Sequence, residues 1–155
     1  MLKRSAVLWS LLALAGCEAS TAPNERDSLE QARARWAQLG SDSYTVEMTR
    51  GCFCVLAGKR MTVTVRNGSV SSAEFFDSGG AVAGADLYYL PTVADLFDQI
   101  SEALDRQPAS FGVTYDELYG YPVRIDIDPS ATVSDDEISY SLRDLTLLAA
   151  LGAGR

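Results

Sequence analysis

Two closely spaced cysteines are the residues of this sequence whose type and spacing could support chemistry. Cys52 and Cys54 are separated by one residue, so on an extended segment their side chains point to the same face and can close a small disulfide ring. Such a ring is either a structural staple at a strand end or a redox-active pair. Free thiols and a soft-metal site are the remaining alternatives. A lowered thiol pKa would need nearby positive charge, for which the local candidates are Arg50, Lys59 and Arg60.

The third cysteine, Cys17, follows Leu14-Ala15-Gly16, a pattern that resembles the lipobox of bacterial lipoprotein signals processed by signal peptidase II. Lys3 and Arg4 form a positive region before an apolar run, 6–13, that is shorter than the ~20 residues needed to span a bilayer. The sequence therefore predicts a lipoprotein signal peptide at 1–16 and acylation of Cys17, which becomes the mature N-terminus. The alternative is a soluble secreted protein with an incidental cysteine at this position.

The predicted partner of Cys17 is the membrane itself. Each acyl CH₂ buried contributes ~0.8 kcal/mol, so a multiply acylated cysteine is a stable anchor. Glu18 is not the aspartate associated with retention in the inner membrane, which favours a cell-envelope location at the outer membrane, facing the periplasm.

The charge balance limits the other partners. The chain of 155 residues has a net charge of −8, and loss of the two basic residues of the signal peptide makes this −10. Such an acidic surface repels nucleic acid and anionic headgroups, so neither is predicted as a partner of the folded part.

The residue types present also limit catalysis. The sequence contains no histidine, which excludes histidine-based general base catalysis, catalytic triads and imidazole metal sites. No nucleophile and base, metal-ligand set or phosphate loop stands out. We therefore predict no catalytic residue, no metal site and no cofactor, and a protein that is not an enzyme.

The hydrophobic pattern predicts one α+β domain at 28–145, between a flexible tether at 17–27 and a C-terminal tail at 146–155. A first helix begins at Asp27 or Ser28, and a second is capped by Thr92 with Asp95. Each helix precedes three strands with alternating apolar residues, and Asn67-Gly68 is a strong hairpin signal. The predicted order is helix, three strands, helix, three strands, with the two helices packed on one face of an antiparallel sheet.

Two groups of polar side chains are candidates for binding. The carboxylates that bracket one predicted loop could converge on Ca²⁺, although a hydrated acidic edge is the favoured interpretation, because alternation puts Asp126 and Asp128 on the solvent face; the five are Asp126, Asp128, Asp135, Asp136 and Glu137. A concentration of tyrosines suits a binding surface, although covering the end of the core is the alternative; the surface is predicted at Tyr88, Tyr89, Tyr119 and Tyr121.

Several short motifs occur in order along the chain; they are Cys52-Phe53-Cys54 after a strand opened by Tyr44, Asn67-Gly68, Pro91-Thr92-Val93 before Leu96-Phe97, Tyr115-Asp116, Gly120-Tyr121-Pro122 and Ile125-Asp126-Ile127-Asp128. Together they resemble the DUF6174 family of bacterial proteins, commonly lipoproteins, which has no established activity. The resemblance covers Trp36 to Leu145. It implies a shared fold and a shared habitat, and it provides no catalytic residues.

These observations predict a cell-envelope lipoprotein of unknown molecular function. The predicted role is a non-enzymatic binding or structural module, tethered through acylated Cys17, whose partner is another envelope protein. The alternative is a thiol-disulfide redox protein that uses Cys52 and Cys54.

Overall fold

The computed structural model describes residues 21–149, with side chains described from Asn24 onward. The predicted signal peptide and the predicted acylation site Cys17 lie outside these residues. The elements, in chain order, are α1 (Thr21–Leu39), β1 (Tyr44–Gly51), β2 (Arg60–Arg66), β3 (Ser69–Phe75), the 3₁₀-helix η1 (Gly84–Tyr89), α2 (Val93–Arg106), β4 (Ser110–Tyr115), β5 (Pro122–Asp128) and β6 (Ile138–Leu147).

The six strands form one antiparallel sheet with the order β3-β2-β1-β6-β5-β4. The predicted α+β class and antiparallel sheet are confirmed. The first and last strands of the domain are neighbours at the centre of the sheet, so each group of three strands extends outward from that central pair. The register of β2 and β3 shifts between Thr64 and Val65 and leaves Ser71 as the extra residue of a bulge.

Helix α1 begins earlier than the sequence predicted. The predicted cap at Asp27 or Ser28 lies inside the helix, and the part of the predicted tether from Thr21 onward is helical. Pro23 is compatible with this because proline is tolerated in the first turn of a helix, where its missing N–H has no intrahelical partner. Arg26 also forms an ion pair with Asp105 of α2, at 2.8 Å, which holds the first turns of α1 against the domain.

Two further boundaries differ from the prediction. The 3₁₀-helix η1 lies between β3 and α2, where the predicted order of helix, three strands, helix, three strands has no helix, so the described residues contain a third helical element beside α1 and α2. Strand β6 continues to Leu147, inside the predicted tail, because Leu147 pairs with Tyr44. The N–H of Leu148 then donates to the carbonyl of Ser43 at 2.9 Å.

The core lies on one face of the sheet. Alternate residues of the central strands are buried there, and they are Tyr44, Val46, Met48, Met61, Val63 and Val65. The apolar stripe of α2 belongs to the same buried cluster; it consists of Val93, Leu96, Phe97, Ile100 and Leu104. The predicted cap of α2 is also present, with the Thr92 side chain and the Asp95 side chain each bonding the other's backbone N–H. The opposite face of β1 carries Thr45, Glu47 and Thr49, which are half-exposed.

Tyr44 joins three elements at the start of the central strand. Its hydroxyl accepts a hydrogen bond from the N–H of Val93, at 2.7 Å, and its ring lies edge-on to Trp36 of α1 with centroids 5.4 Å apart. Both α-helices therefore contact the core face of the sheet at this residue. Burial raises the pKa of Tyr44 to about 12.

The turn between β4 and β5 is fitted closely against α1. Gly120 has a φ of +81°, and a Cβ atom there would lie 2.5 Å from the carbonyl oxygen of Ala32. The Asp116 carboxylate accepts hydrogen bonds from the N–H groups of Leu118 and Tyr119, at 3.0 and 2.6 Å. At position 120, glycine is required both by the positive φ and by the lack of space for a Cβ atom beside Ala32.

The burial of Tyr44 predicts a loss of stability at alkaline pH. Unfolded tyrosine ionises near pH 10, whereas folded Tyr44 keeps its proton up to about pH 12. Between these values the unfolded chain binds fewer protons than the folded one, so the free energy of unfolding falls as pH rises. Urea denaturation of the wild type and of Tyr44→Phe from pH 8 to 12 measures the effect.

We expect Tyr44→Phe to be less stable than the wild type at pH 8, because the N–H of Val93 loses its acceptor, and the difference to shrink above pH 10. Tyr115→Phe is a parallel case, since burial, followed by the charge of Glu25, raises the pKa of Tyr115 to about 12. A stability difference that stays constant across this pH range would contradict the assignment.

Candidate functional site

A groove of about 780 Å³ lies between α2 and the η1 segment. We call it the α2–η1 groove. Its lining residues come from four parts of the fold: the end of β1, the β2–β3 hairpin, the η1–α2 segment and β6. They are Arg50, Gly68, Ser69, Val70, Leu87, Tyr88, Tyr89, Leu90, Pro91, Thr92, Asp95, Asp98, Gln99, Glu102, Ile138 and Tyr140.

Arg50 is the cation among these lining residues. In β1 it follows Tyr44, Val46 and Met48 in the alternation, so its side chain starts on the core face. One terminal nitrogen donates to the carbonyl oxygen of Tyr89 at 2.6 Å, and the guanidinium carbon lies 5.8 Å from the centre of the Tyr140 ring. The Nε atom is buried and has no hydrogen-bond partner in the structure. Arg50 therefore fastens η1 to the sheet and retains donor capacity.

The α2 side of the groove is acidic, but two of its three carboxylates are already engaged within the fold. Asp95 accepts from the N–H and hydroxyl of Thr92 at 2.8 and 2.7 Å. Asp98 is paired with Arg33 of α1 at 2.9 Å. Glu102 pairs with Arg106 at 3.3 Å, and because both side chains are exposed, this surface pair contributes little stability.

Tyr88 and Tyr89 form one rim of the groove. Their rings meet edge-on with centroids 5.7 Å apart, and Tyr88 is 89% exposed. In such a groove an exposed aromatic ring can stack on a ligand, a guanidinium can hydrogen-bond a carbonyl or carboxylate group, and carboxylates can attract positive charge.

The four tyrosines predicted as one binding surface lie in two separate places. Tyr119 is half-buried in the β4–β5 turn, and Tyr121 is only 5% exposed. The ring of Tyr121 packs against Trp36 with centroids 6.4 Å apart, and burial raises its pKa. The prediction is therefore wrong for Tyr121, which is a core residue, because the turn at Gly120 directs it under α1 instead of outward.

The cysteine pair lies at the tip of the hairpin between β1 and β2. The sulfur atoms of Cys52 and Cys54 lie at disulfide distance, with Cα atoms 5.3 Å apart. Phe53 between them is 88% exposed, and Cys54 is also exposed. The pair is therefore accessible from solvent.

Two of the three cations considered for lowering a thiol pKa are engaged elsewhere. Arg50 donates to Tyr89. Arg60 is bonded to Glu47, and its guanidinium carbon lies 3.5 Å from the centre of the Phe76 ring. Lys59 is exposed in the same hairpin, which leaves it as the remaining local candidate.

Four of the five predicted acidic residues line a cavity of about 500 Å³ together with Cys52 and Phe53; the four are Asp126, Asp128, Asp135 and Glu137. Asp126 is bonded to Arg124 at 2.6 and 3.1 Å, and Asp128 accepts from the N–H of Ser130 at 3.0 Å. Between residues 21 and 149, no group of three or more histidine, cysteine or acidic residues is placed to hold a metal ion. The described geometry therefore gives no support to the Ca²⁺ alternative.

Comparison with known proteins supplies the family. A family model described as "Family of unknown function (DUF6174)" matches residues 28–147. The chain belongs to the DUF6174 family. The resemblance from Trp36 to Leu145 is thereby confirmed, and the match extends it at both ends. No curated protein and no solved structure matches the chain.

The DUF6174 match covers every strand and the α2–η1 groove. No helix in the part of the chain that the structure describes is both long enough and apolar enough to cross a membrane.

Arg50 is the groove residue that the sequence analysis considered only in relation to the thiols. The sequence contains an indication that Arg50 has a structural partner, because it occupies the next core-facing position of β1 after three buried residues. A charged residue there must reach a polar partner at the end of the core. Its partner, the carbonyl of Tyr89, is supplied by a helical turn whose position the sequence pattern did not predict.

Proposed function

We propose that this DUF6174 protein is a lipid-anchored protein of the cell envelope whose domain binds another envelope component without transforming it. The observation that carries the binding role is the α2–η1 groove, whose lining includes both the exposed ring of Tyr88 and the guanidinium of Arg50. The lipobox sequence ending at Cys17 supports the anchor. Glu18 favours the periplasmic side of the outer membrane.

An anchor at Cys17 would hold the domain close to the bilayer. Helix α1 begins at Thr21, so four residue steps separate it from the proposed acylated residue. Fully extended, they span at most ~14 Å. The proposed tether is therefore shorter than the sequence pattern alone predicted, and an anchored domain would lie close to the membrane.

The anchor is tested by the intact mass of the protein extracted from membranes. We expect a mature chain that begins at Cys17 and carries the added mass of acyl groups. Cys17→Ser removes the thiol that receives the lipid and should abolish this addition and the partitioning into a detergent phase. The Cys52→Ser/Cys54→Ser variant is the matched control and should keep both. A mature protein without acyl mass would contradict the proposal.

The groove is tested by a photo-crosslinking amino acid placed at Tyr88 in living cells. The control position is Leu118, which is 60% exposed in the β4–β5 turn, away from the groove-lining segments. We expect a defined adduct from position 88 only. Adding Arg50→Met should reduce its yield several-fold, because the apolar stem is kept while the hydrogen-bond donors are lost.

Thermal melting of each variant shows whether the domain is still folded at the crosslinking temperature. Equal adducts from both positions would contradict binding through the α2–η1 groove. A folded Arg50→Met variant with an unchanged adduct yield would remove Arg50 from the proposed contact.

A second candidate function is thiol-disulfide exchange, favoured by the exposure of the Cys52–Cys54 pair at a hairpin tip. A thiolate of a partner dithiol would attack one sulfur and form a mixed disulfide, and its second thiol would then resolve that bond. The partner is oxidised to a disulfide, while Cys52 and Cys54 receive two electrons and two protons and become thiols. Phe53 would supply an apolar contact for the partner.

This second function predicts that Cys52 and Cys54 exchange with a mild glutathione redox buffer while the domain stays folded. Alkylation followed by mass spectrometry at several glutathione ratios measures the reduced fraction, and circular dichroism measures folding. Cysteines that stay protected until strong reductant is added would contradict a redox role. They would leave the pair as a structural staple.

A further inference from the structure

One edge strand of the sheet, β3, is covered by a neighbouring segment of the chain, whereas the other edge strand, β4, is open in the part of the chain that the structure describes. The edge strand β3 is covered by the segment that follows it: the N–H of Phe75 donates to the carbonyl of Gly80 at 2.9 Å, and the N–H of Val82 donates to the carbonyl of Ala73 at 2.8 Å. Glu74 and Ala81 form a bridge there. The other edge strand, β4, pairs with β5 on one side, and within residues 21–149 no strand pairs with its other side.

Strand β4 also lacks the features that usually protect an edge. Exposed edges are normally blocked by charged residues, proline, bulges or a covering segment, because their unpaired N–H and C=O groups accept a further strand. The six residues Ser110–Tyr115 include no charged residue and no proline. The register shift of β4 with β5 lies only at the strand's end, between Thr114 and Tyr115.

On both faces of the sheet, the side chains of β4 leave room for the side chains of a strand added at this edge. On the core face, Phe111, Val113 and Tyr115 are half-buried, whereas the core residues of β1 are 1–3% exposed. On the opposite face, Ser110, Gly112 and Thr114 are small or exposed. A Cβ atom on Gly112 would have no atom within 4 Å, so none of the described chain covers this point.

The charges beside β4 indicate what kind of strand would fit. On β5, Asp126 lies opposite Gly112 and Asp128 lies opposite Ser110. Asp126 is bonded to Arg124, which lies opposite Thr114, so the acidic end of this face is the one at Ser110 and Gly112. Long basic side chains of an added strand can cross these small residues toward the two carboxylates. A second copy of this chain is disfavoured, because each copy has a net charge of −8.

We propose that the open edge of β4 binds an extended segment of another protein by strand addition, and that this segment alternates apolar residues with lysine or arginine. Main-chain hydrogen bonds to β4 supply the affinity. Apolar side chains extend the half-buried row of Phe111, Val113 and Tyr115, and the basic ones face Asp126 and Asp128. The inference is independent of the lipid anchor and of the α2–η1 groove.

The test uses a synthetic peptide of alternating valine and lysine with blocked ends, titrated into the folded domain. Amide hydrogen exchange and ¹H–¹⁵N NMR locate the binding. We expect slowed exchange at alternate residues of 110–115 and little change in β3. Two peptides serve as controls: one with the same residues in two blocks, and one with glutamate in place of lysine. Both should bind at least tenfold more weakly.

Two variants at one position distinguish strand addition from general attraction to an acidic protein. Gly112→Lys places a like charge against the peptide and should weaken binding at least tenfold. Gly112→Asp fills the same space with the opposite charge and should bind at least as tightly as the wild type. Melting temperatures confirm that both variants are folded.

Three results would overturn the proposal. They are equal binding of the blocked-sequence peptide, protection located away from β4, and equal effects of Gly112→Lys and Gly112→Asp in folded protein. Dimerisation of the domain without peptide, detected by light scattering and lost in Gly112→Lys, would assign the edge to a second copy and would likewise overturn it.

Discussion

The fold depends on the antiparallel pairing of β1 with β6. These are the first and last strands of the domain, and they form the centre of the sheet. The sheet is therefore continuous only when β1 has paired with β6, which joins the group β1–β3 to the group β4–β6. Tyr44 lies at one end of this central pair and also receives the first N–H of α2. The same residue thus connects the strand pairing to the placement of both α-helices. Pairing between such distant segments is costly in loop-closure entropy, which is characteristic of slowly formed sheets.

The sequence was most informative where local chemistry determines structure. The alternating apolar residues of β1 and β2 and the cap formed by Thr92 and Asp95 were predicted and are present. Each of these features depends on residues that are close to each other in the sequence. The order of strands in the sheet was not predictable in this way, because the alternation of a strand records which face is buried and not which strand lies beside it.

The boundaries that differed were decided by distant contacts. Helix α1 extends back to Thr21 with support from Asp105 of α2, and β6 extends to Leu147 through its pairing with Tyr44. The candidate site shows the same division. Tyr88 and Tyr89 are exposed, as a binding surface requires, whereas Tyr121 is buried by the close fit of Gly120 against α1. The groove itself, with Arg50 bonded to Tyr89, joins residues from opposite halves of the chain, so no local pattern contained it.

The early start of α1 has a consequence for how such a domain would search for its partner. Under the anchor proposed at Cys17, so few residues would keep the domain within a few nanometres of the bilayer, and its search for a partner would be nearly two-dimensional. For a partner anchored in the same leaflet, the effective concentration is then high, and modest intrinsic affinity is enough for lasting contact. For a partner fixed far from the membrane, the same short connection forbids contact altogether. Because the helix begins so close to Cys17, the short connection would limit the possible partners to those near the membrane.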